Sequence, residues 1–398
     1  MTHGRRIAAS ILLVLAGVAG CSSGNNPALG TQGGNGRPAP PAATSAGAAG
    51  GAGDTGNSGA GSGDFSKKTN MVVTAVCTKN SSGGAVQVTG WDTRDWHPLA
   101  EALFVLPAPT VMTNVTHELC EQHSPYQVAG EASGIRALFD RDYTRMAVAI
   151  NAGGESRHVG YVDRSRKFTD LTGDGGFGMT PRETDAAFSA DGSTMWFTYE
   201  ATSSDGSASE THLGSRSVSG DHALVDHWHG ESGTEPFVIP PPSGKGPVAL
   251  GRSRFDSPDG RRMTVGATLF DSASVGPAFN GMSEEKKGKP AVCDPVGWTG
   301  PDTLLCDSQD ARNLYTAAPD ATTPGQNLLP ANDHENHGLL ISPDSHRFLF
   351  ASSEPGSPQV SVYLANTAQA TPPAAPTKVP APDSLTSAGW NAHFLEWR

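Results

Sequence analysis

The sequence contains little charge and few stretches that are free of helix-breaking residues. Only 17% of its 398 residues are charged, whereas 48 are glycine and 30 are proline. Both residue types destabilise helix interiors, and no long amphipathic helical run occurs after residue 65. These properties exclude a helical bundle, a globin or a coiled coil. They leave an all-β domain or a partly disordered chain.

The sequence is also poor in positive charge. It has 28 Lys and Arg against 40 Asp and Glu, a formal net charge of −12. Nucleic acids and anionic lipid surfaces attract clustered cationic side chains, which an acidic chain does not offer. We therefore expect no nucleic-acid partner.

Common catalytic motifs are missing from the region after residue 65. It contains no Gly-x-Ser-x-Gly elbow, no His-Glu-x-x-His helix, no P-loop and no dinucleotide fingerprint. The sequence accordingly predicts no cofactor. The sequence does not decide whether the protein is an enzyme, but the missing motifs favour a non-enzymatic function.

The longest hydrophobic run lies at residues 7–18, directly after Arg5 and Arg6. Its length is typical of a signal-peptide core and is too short for a membrane-spanning helix. The run ends in Val-Ala-Gly-Cys, which resembles a bacterial lipobox. The resemblance implies that residues 1–20 are removed and that Cys21 receives a diacylglyceryl group. An ordinary signal peptide and a twin-arginine signal are the alternatives.

A lipidated Cys21 would attach the protein to the cell membrane, on its extracytoplasmic face. Residues 21–65 consist almost wholly of Gly, Ala, Ser, Pro, Asn and Thr. Such a composition cannot bury enough apolar surface to form a core, so this segment is predicted to be a disordered, flexible tether. The folded domain is predicted to span residues 66–398.

A pattern of a large apolar residue, a polar turn and a short apolar strand recurs in the folded region. Its six copies begin at Phe139, Phe188, Phe255, Trp298, Ile341 and Trp390. Most copies are 42 to 49 residues apart, counted from the turn residues, and one interval is 68. A period in the forties is that of a four-stranded propeller blade.

The turn of the best copies reads Ser-x-Asp, followed by Gly in two of them, at 189–192, 257–260 and 342–344. Asp accepts local backbone hydrogen bonds and Gly adopts a positive φ, so this segment predicts a tight hairpin. The order of aromatic residue, turn, apolar strand and Tyr-containing strand resembles the WD40-like repeats of TolB-type β-propellers. The resemblance implies an all-β propeller and extends over most of residues 130–398.

The last copy has too few residues after it to form a blade. Three strand-like segments, 71–76, 85–89 and 102–106, precede the first copy. Pairing them with residues 394–397 would close a ring of six blades and remove the exposed sheet edges. A ring of seven blades is the alternative.

Four cysteines follow Cys21, and an even number outside the cytoplasm indicates disulfides. Cys293 and Cys306 flank the Trp298 hairpin, which favours pairing them with each other and Cys77 with Cys120. The other two pairings stay open. A zinc site made of all four thiolates is disfavoured because the sequence contains no Cys-x-x-Cys motif.

One candidate ligand site lies in the segments before the repeated strands. His334, Glu335 and His337 lie in the connection just before the strand at Ile341, a position that faces the central channel at one mouth of TolB-like propellers. Asp185 and Asp294 occupy similar positions in their own repeats. Imidazole and carboxylate groups are suitable ligands for a divalent metal, which is therefore a possible cofactor at this mouth. The alternative is a solvated loop.

A second histidine-rich segment lies in the longest interval between repeats. His227, Trp228 and His229 are candidates for contact with a partner, since aromatic residues concentrate binding energy at interfaces. We interpret the interval 201–236 as an insertion projecting from a blade. The alternative is that Trp228 covers the blade beneath it.

These features favour a lipid-anchored binding or scaffolding module for a protein or cell-wall partner. The membrane would be contacted through the lipid on Cys21. The second hypothesis is a metal- or carboxylate-dependent hydrolase whose site lies at the channel mouth. Propellers serve many functions, so the function of this protein must be inferred from its sites and not from its fold.

Overall fold

In the computed structural model of the chain, the described residues are 64–80, 83–111, 114–120, 129–173, 182–202, 209–231, 237–239, 248–250, 254–266, 268–271, 289–290, 293–308, 312–357, 359–386 and 392–398. All of them fall within the compact unit Asn57–Arg398. The predicted signal peptide, Cys21 and the tether up to residue 63 lie outside the described residues. Phe65, placed by sequence at the end of the tether, is fully buried.

The described strands form six blade-like sheets and one additional two-stranded sheet. Blade one consists, in spatial order, of β25 (Ala392–Trp397), β1 (Met71–Asn80), β2 (Gly83–Asp92) and β3 (Pro98–Val105). Blade two contains β4 (Thr110–Val111), β5 (Arg145–Gly153), β6 (Ser156–Asp163) and β7 (Phe168–Asp170). Blade three contains β8 (Glu183–Phe188), β9 (Thr194–Thr202), β10 (Ser209–Ser217) and β11 (Val225–Glu231).

The remaining three blades follow in chain order. Blade four contains β14 (Arg254–Asp256), β15 (Arg262–Val265), β16 (Thr268–Asp271) and β17 (Lys289–Pro290). Blade five contains β18 (Asp294–Gly300), β19 (Thr303–Asp307) and β20 (Leu314–Ala317). Blade six contains β21 (Glu335–Ile341), β22 (Arg347–Ser353), β23 (Ser361–Asn366) and β24 (Thr377–Lys378). Between blades three and four, β12 (Phe237–Ile239) pairs with β13 (Val248–Leu250).

The chain is therefore an all-β, six-bladed propeller, and the prediction of six blades is confirmed. The predicted closure is confirmed as well. β25 pairs antiparallel with β1, and β1 continues into β2 and β3. The innermost strand of blade one thus comes from residues 392–397, and its three outer strands come from residues 71–105.

Three of the predicted turns have the same hydrogen bonds. In each, the Ser hydroxyl donates to the Asp two residues later, at 2.6 Å for Ser189, 2.7 Å for Ser257 and 2.5 Å for Ser342. The same hydroxyl oxygen accepts from the backbone N–H five residues on, at 2.9–3.0 Å. The repeated sequence thus fixes the connection from the first to the second strand of blades three, four and six.

The apolar cores lie mainly between neighbouring blades. One cluster joins blades one and two and includes Phe65, Phe104 and Phe139. Another joins blades one and six through Val72, Leu349 and Phe394. Further clusters join blades two and three, four and five, and five and six. Each blade is therefore stabilised by its neighbours, as expected for a stacked repeat fold.

Both disulfides predicted by local pairing are present. Cys77 on β1 is bonded to Cys120, and Cys293 is bonded to Cys306 on β19. Cys120 ends the short helix α1 (Asn114–Cys120), which precedes a second helix, α2 (Ala129–Ala137). Among the described residues, no helix is both long and apolar enough to cross a bilayer.

The interval 201–236 is not an insertion as a whole. β10 and β11 are the third and fourth strands of blade three, and both lie within this interval. The additional length between the repeats falls instead on the stretch containing β12 and β13. The distance between successive turns gives the length of an interval but not the positions of the strands within it, so the sequence pattern did not reveal β10 and β11.

Candidate functional site: the ring axis and the third blade

Helix α2 lies inside the ring. It contacts the inner strands of four blades, β25, β14, β18 and β21, as well as β12. A single helix reaches the inner strands of four blades only from the axis that they surround. Ile135 and Ala132 of this helix are buried. The axis of the propeller is therefore occupied by a segment of the same chain.

An ion-pair network attaches the end of α2 to the closing strand. The Arg136 Nε donates to Glu396 Oε2 at 2.9 Å, and the Tyr143 hydroxyl donates to Glu396 Oε1 at 2.8 Å. Arg398 donates to the same carboxylate. Burial alone would raise the pKa of Glu396, but the charges of Arg136 and Arg398 hold it below its ordinary value.

Replacing Glu396 by Gln is expected to lower the free energy of unfolding by about 3 kcal/mol at neutral pH, because Arg136 and Arg398 lose their counter-charge in a largely buried site. The side chains of Arg136 and Glu396 are 22% and 23% exposed. Since the pKa of Glu396 is lowered on folding, its stabilisation is present above the ordinary value of 4.5 and is lost as pH falls through the folded pKa. Urea unfolding across pH measures this.

A matched control is Glu200→Gln, which removes a carboxylate that is 46% exposed and 3.4 Å from Arg182. This exposed pair should contribute less than about 1 kcal/mol. An equal loss of stability in both variants would contradict the attachment of α2 through Glu396. So would a deficit of Glu396→Gln that stays constant down to acidic pH.

The predicted channel-mouth residues lie at or near the start of inner strands. Asp294 begins β18 of blade five, and Glu335 and His337 are in β21 of blade six, directly after His334. Asp185 lies in β8 of blade three. Each of these inner strands is the first strand of its blade in chain order, so the five residues lie near corresponding strand ends.

Two of the five residues, Asp185 and His334, are hydrogen-bonded to neighbouring strands of their own blades. Asp185 accepts hydrogen bonds from Thr198 Oγ1 at 2.8 Å and from Thr184 Oγ1 at 3.2 Å. His334 Nδ1 lies 3.1 Å from Ser352 Oγ. Burial lowers the pKa of His337, and the charge of Glu335 opposes this. Within the described part of the chain, these five residues are not among the sets of three donors close enough to share a metal ion.

Sequence reasoning missed a buried carboxyl beside Asp294. Asp307 ends β19, faces Asp294 in the strand register and is 7% exposed. The Gly338 backbone N–H donates to its Oδ1 at 2.9 Å and to its Oδ2 at 3.2 Å. Burial raises the pKa of Asp307 to about 7; the Gly338 hydrogen bond opposes the rise and the charge of Asp294 adds to it. Asp307 is thus a carboxyl able to exchange a proton near neutral pH.

The predicted partner-contact residues lie on β11, the outermost strand of blade three. Trp228 is half-buried and packs against the cluster of Ala187, Trp196 and Leu213. The His227 Nε2 is 2.8 Å from Ser215 Oγ, and burial lowers the pKa of His227. His229 is exposed. Part of the Trp228 side chain therefore covers its own blade, as in the alternative interpretation.

Exposed apolar residues lie at the start of this strand. Leu224 is 39% exposed and Val225 is 50% exposed. Leu103, on the outer strand of blade one, is the third large hydrophobic residue with comparable exposure in the described part of the chain, at 42%. In the sheet order of blade three, β11 is terminal, so one of its edges faces away from β10.

Two sets of three donor groups in the described ranges lie close enough together for one cation. The first is His212, Asp226 and His229 on blade three, and the second is Asp92, Asp95 and His97 at the end of β2 and just after it. In the second set, the Arg94 guanidinium already donates to both oxygens of Asp92, at 3.0 and 2.6 Å. A cationic side chain therefore already neutralises Asp92.

No protein-family model matches the chain, and no curated protein matches it. Among solved structures, it is similar to TolB from Acinetobacter baumannii, with 10% identity, a TM-score of 0.28, and coverage of 82% of this chain and 83% of that one. It is similar to an oligogalacturonate lyase in complex with manganese, with 10% identity, a TM-score of 0.32, and coverage of 74% and 70%. A puromycin-hydrolyzing peptidase from Mycobacterium tuberculosis has 13% identity, a TM-score of 0.32, and coverage of 73% and 45%. At these identities the likeness concerns the fold alone.

Proposed function

We propose that the protein is a lipid-anchored propeller that binds a protein or cell-wall partner on the extracytoplasmic face of the cell membrane. The observation that carries the preference for binding over a channel-mouth hydrolase is the position of α2. The helix contacts the inner strands of four blades and therefore occupies the ring axis. Arg136 further attaches this helix to the closing strand. This arrangement favours binding at the outer surface of the blades.

The contact surface in this proposal is the outer edge of blade three, formed by Leu224, Val225 and β11. Exposed apolar residues beside a sheet edge combine two sources of affinity, namely burial of apolar area and unpaired backbone groups. Trp228 and His229 lie on the same strand. The strand order gives this edge no pairing partner within blade three.

The test compares recovery of envelope components with the wild-type chain and with Leu224→Asp/Val225→Asp after cross-linking in cells. For any component that the wild type recovers specifically, the amount recovered with the double variant should be at least ten-fold lower. The reason is that charge at the centre of an apolar contact is costly. Leu103→Asp is the matched control, since Leu103 is equally exposed on the outer strand of another blade. Equal recovery with all three chains would contradict the proposed surface.

Lipid anchoring rests on the Val-Ala-Gly-Cys segment that ends at Cys21. Its test is metabolic labelling with an alkyne fatty acid followed by fractionation. Wild type should be labelled and sediment with membranes, whereas Cys21→Ser should be unlabelled and leave the membrane fraction. A labelled Cys21→Ser chain, or an unlabelled wild type, would contradict lipidation at this residue.

A carboxyl-dependent enzyme at the channel mouth is the second candidate, and the burial of Asp307 beside Asp294 favours it. A carboxyl with a pKa near 7 suits general acid–base catalysis at neutral pH. Hydrolytic activity on ester, lactone or glycan panels that is lost in Asp307→Asn would favour the enzyme. Equal activity in wild type and variant would exclude Asp307 as its acid–base group.

A further inference from the structure

One face of blade three carries a row of polar side chains that continues from strand to strand. Tyr199 on β9 is opposite His212 on β10, and His212 is opposite His229 on β11. The register shifts after Leu213, so β11 carries an additional residue at this point. This bulge brings Asp226 to the same face as His212, where the sequence count alone would not place it.

The donor atoms of three of these residues lie close together. One donor atom from each of His212, Asp226 and His229 lies within 4.8 Å of the other two. His212 Nδ1 and Asp226 Oδ2 are 3.2 Å apart. Two ligands of a tetrahedral zinc ion, each about 2.0–2.1 Å from the metal, are separated by about 3.3 Å. The existing separation therefore suits a shared metal as well as a direct hydrogen bond.

We propose that His212, through Nδ1, together with Asp226 and His229, binds one divalent transition-metal ion of the Zn²⁺ class on this face of blade three. Two imidazoles and one carboxylate are a common ligand set for this ion, with a fourth position left to water or another ligand. The site is separate from the channel mouth. It shares β11 with the proposed partner surface, but its test measures metal binding alone and requires no partner.

A neighbouring carboxylate orients the central ligand. If Nδ1 binds the metal, the proton of His212 is on Nε2, which is buried and has no hydrogen-bond partner among the described residues. Glu210 Oε2 lies 3.6 Å from this nitrogen. A carboxylate facing the second ring nitrogen of a metal-binding histidine holds its tautomer and raises its basicity. Glu210 is therefore a positioning residue in this proposal.

Tyr199 contacts two of the three proposed ligands, His212 and Asp226. Its ring stacks on His212 with centroids 4.7 Å apart. The Tyr199 hydroxyl is hydrogen-bonded to the Asp226 carboxylate. His212 is largely buried, whereas Asp226 and His229 are exposed. A metal ion can thus approach from solvent toward a pre-oriented inner ligand.

The test measures Zn²⁺ binding to the untagged, chelator-washed chain by calorimetry and by elemental analysis after dialysis. Wild type should bind about one ion per chain, and His212→Gln and His229→Gln should each weaken binding at least ten-fold. Glu210→Gln should weaken it about ten-fold, as outer-shell carboxylates do. Co²⁺ bound to wild type should show the strong visible absorption of a tetrahedral site, and this should disappear in His229→Gln.

His227→Gln is the matched control, because His227 lies on the same strand but contacts Ser215 and Trp196. It should bind Zn²⁺ within two-fold of wild type. His229 is exposed, so its variant should fold normally, and near-UV circular dichroism checks this. Absence of saturable binding to wild type, or equal affinities of His229→Gln and wild type, would show that the 3.2 Å contact is only a hydrogen bond.

Discussion

Removing residues 392–398 is expected to abolish cooperative folding of the propeller. These residues form β25, the inner strand of blade one, and Phe394, Leu395 and Trp397 are all buried. Burial of one large apolar side chain contributes about 1.5–3 kcal/mol, so losing three removes more than about 5 kcal/mol. That equals a large part of the 5–15 kcal/mol by which domains are stable.

The loss would not be confined to one blade. Leu395 packs in the cluster between blades one and two, and Phe394 packs in the cluster between blades one and six. Without β25, the edge of β1 is also exposed, and an open edge strand pairs readily with other chains. The truncated chain should therefore aggregate, and its near-UV circular dichroism and urea transition should be lost.

A single substitution gives a graded form of the same test. Phe394→Ala should lower the free energy of unfolding by about 3–5 kcal/mol, since it leaves a cavity where a fully buried aromatic ring was. Leu103→Ala on the exposed outer strand of the same blade should change it by less than about 1 kcal/mol. An unchanged urea midpoint in the truncated chain or in Phe394→Ala would contradict closure through β25.

The closure could be predicted from the sequence because it depends on local patterns. The Ser-x-Asp turns carry their own hydrogen bonds, and alternating apolar residues mark the strands at 71–105 and 394–397. A remainder too short for a blade at one end and three strands at the other then favour pairing between the two ends. The pairing of Cys77 with Cys120 and of Cys293 with Cys306 followed from the same local proximity.

Helix α2 could not be predicted in the same way. Its sequence contains two glycines and only one large apolar residue, Ile135, so its helical propensity is weak. Its conformation depends on packing against the inner strands of four blades. Such long-range contacts do not produce a periodic pattern of residues in the sequence. The position of Asp226 depends similarly on a bulge in β11 that residue counting does not reveal.

The burial of Asp307 was hidden for a related reason. In sequence, it is a polar residue at the end of a strand, where solvent exposure is the usual expectation. Its carboxyl is buried because the backbone of Gly338 in the next blade approaches it closely, and a Cβ at Gly338 would overlap Val296. Only the packing of blade five on blade six creates this environment.

Asp307→Asn is expected to stabilise the protein at pH 8 by up to about 4 kcal/mol and to leave its stability at pH 4 nearly unchanged. The pKa of Asp307 rises on folding from its ordinary value of 3.8 to about 7. Between these values the unfolded chain has released the proton that the folded chain retains, so wild-type stability falls as pH rises. Each pKa unit corresponds to about 1.4 kcal/mol. The Asn side chain keeps an oxygen that can accept from Gly338 N–H but carries no charge.

Urea unfolding of wild type and Asp307→Asn between pH 4 and pH 8 measures this difference directly. The curves of the two proteins should coincide near pH 4, diverge through pH 5 and 6, and run parallel above about pH 7. Asp294→Asn is the matched control: Asp294 is the exposed partner of Asp307 in the strand register, so removing its charge should alter stability by less than about 1 kcal/mol. A constant difference between wild type and Asp307→Asn across this range would mean that Asp307 does not retain its proton in the folded chain. It would also remove the basis for acid–base chemistry at this mouth.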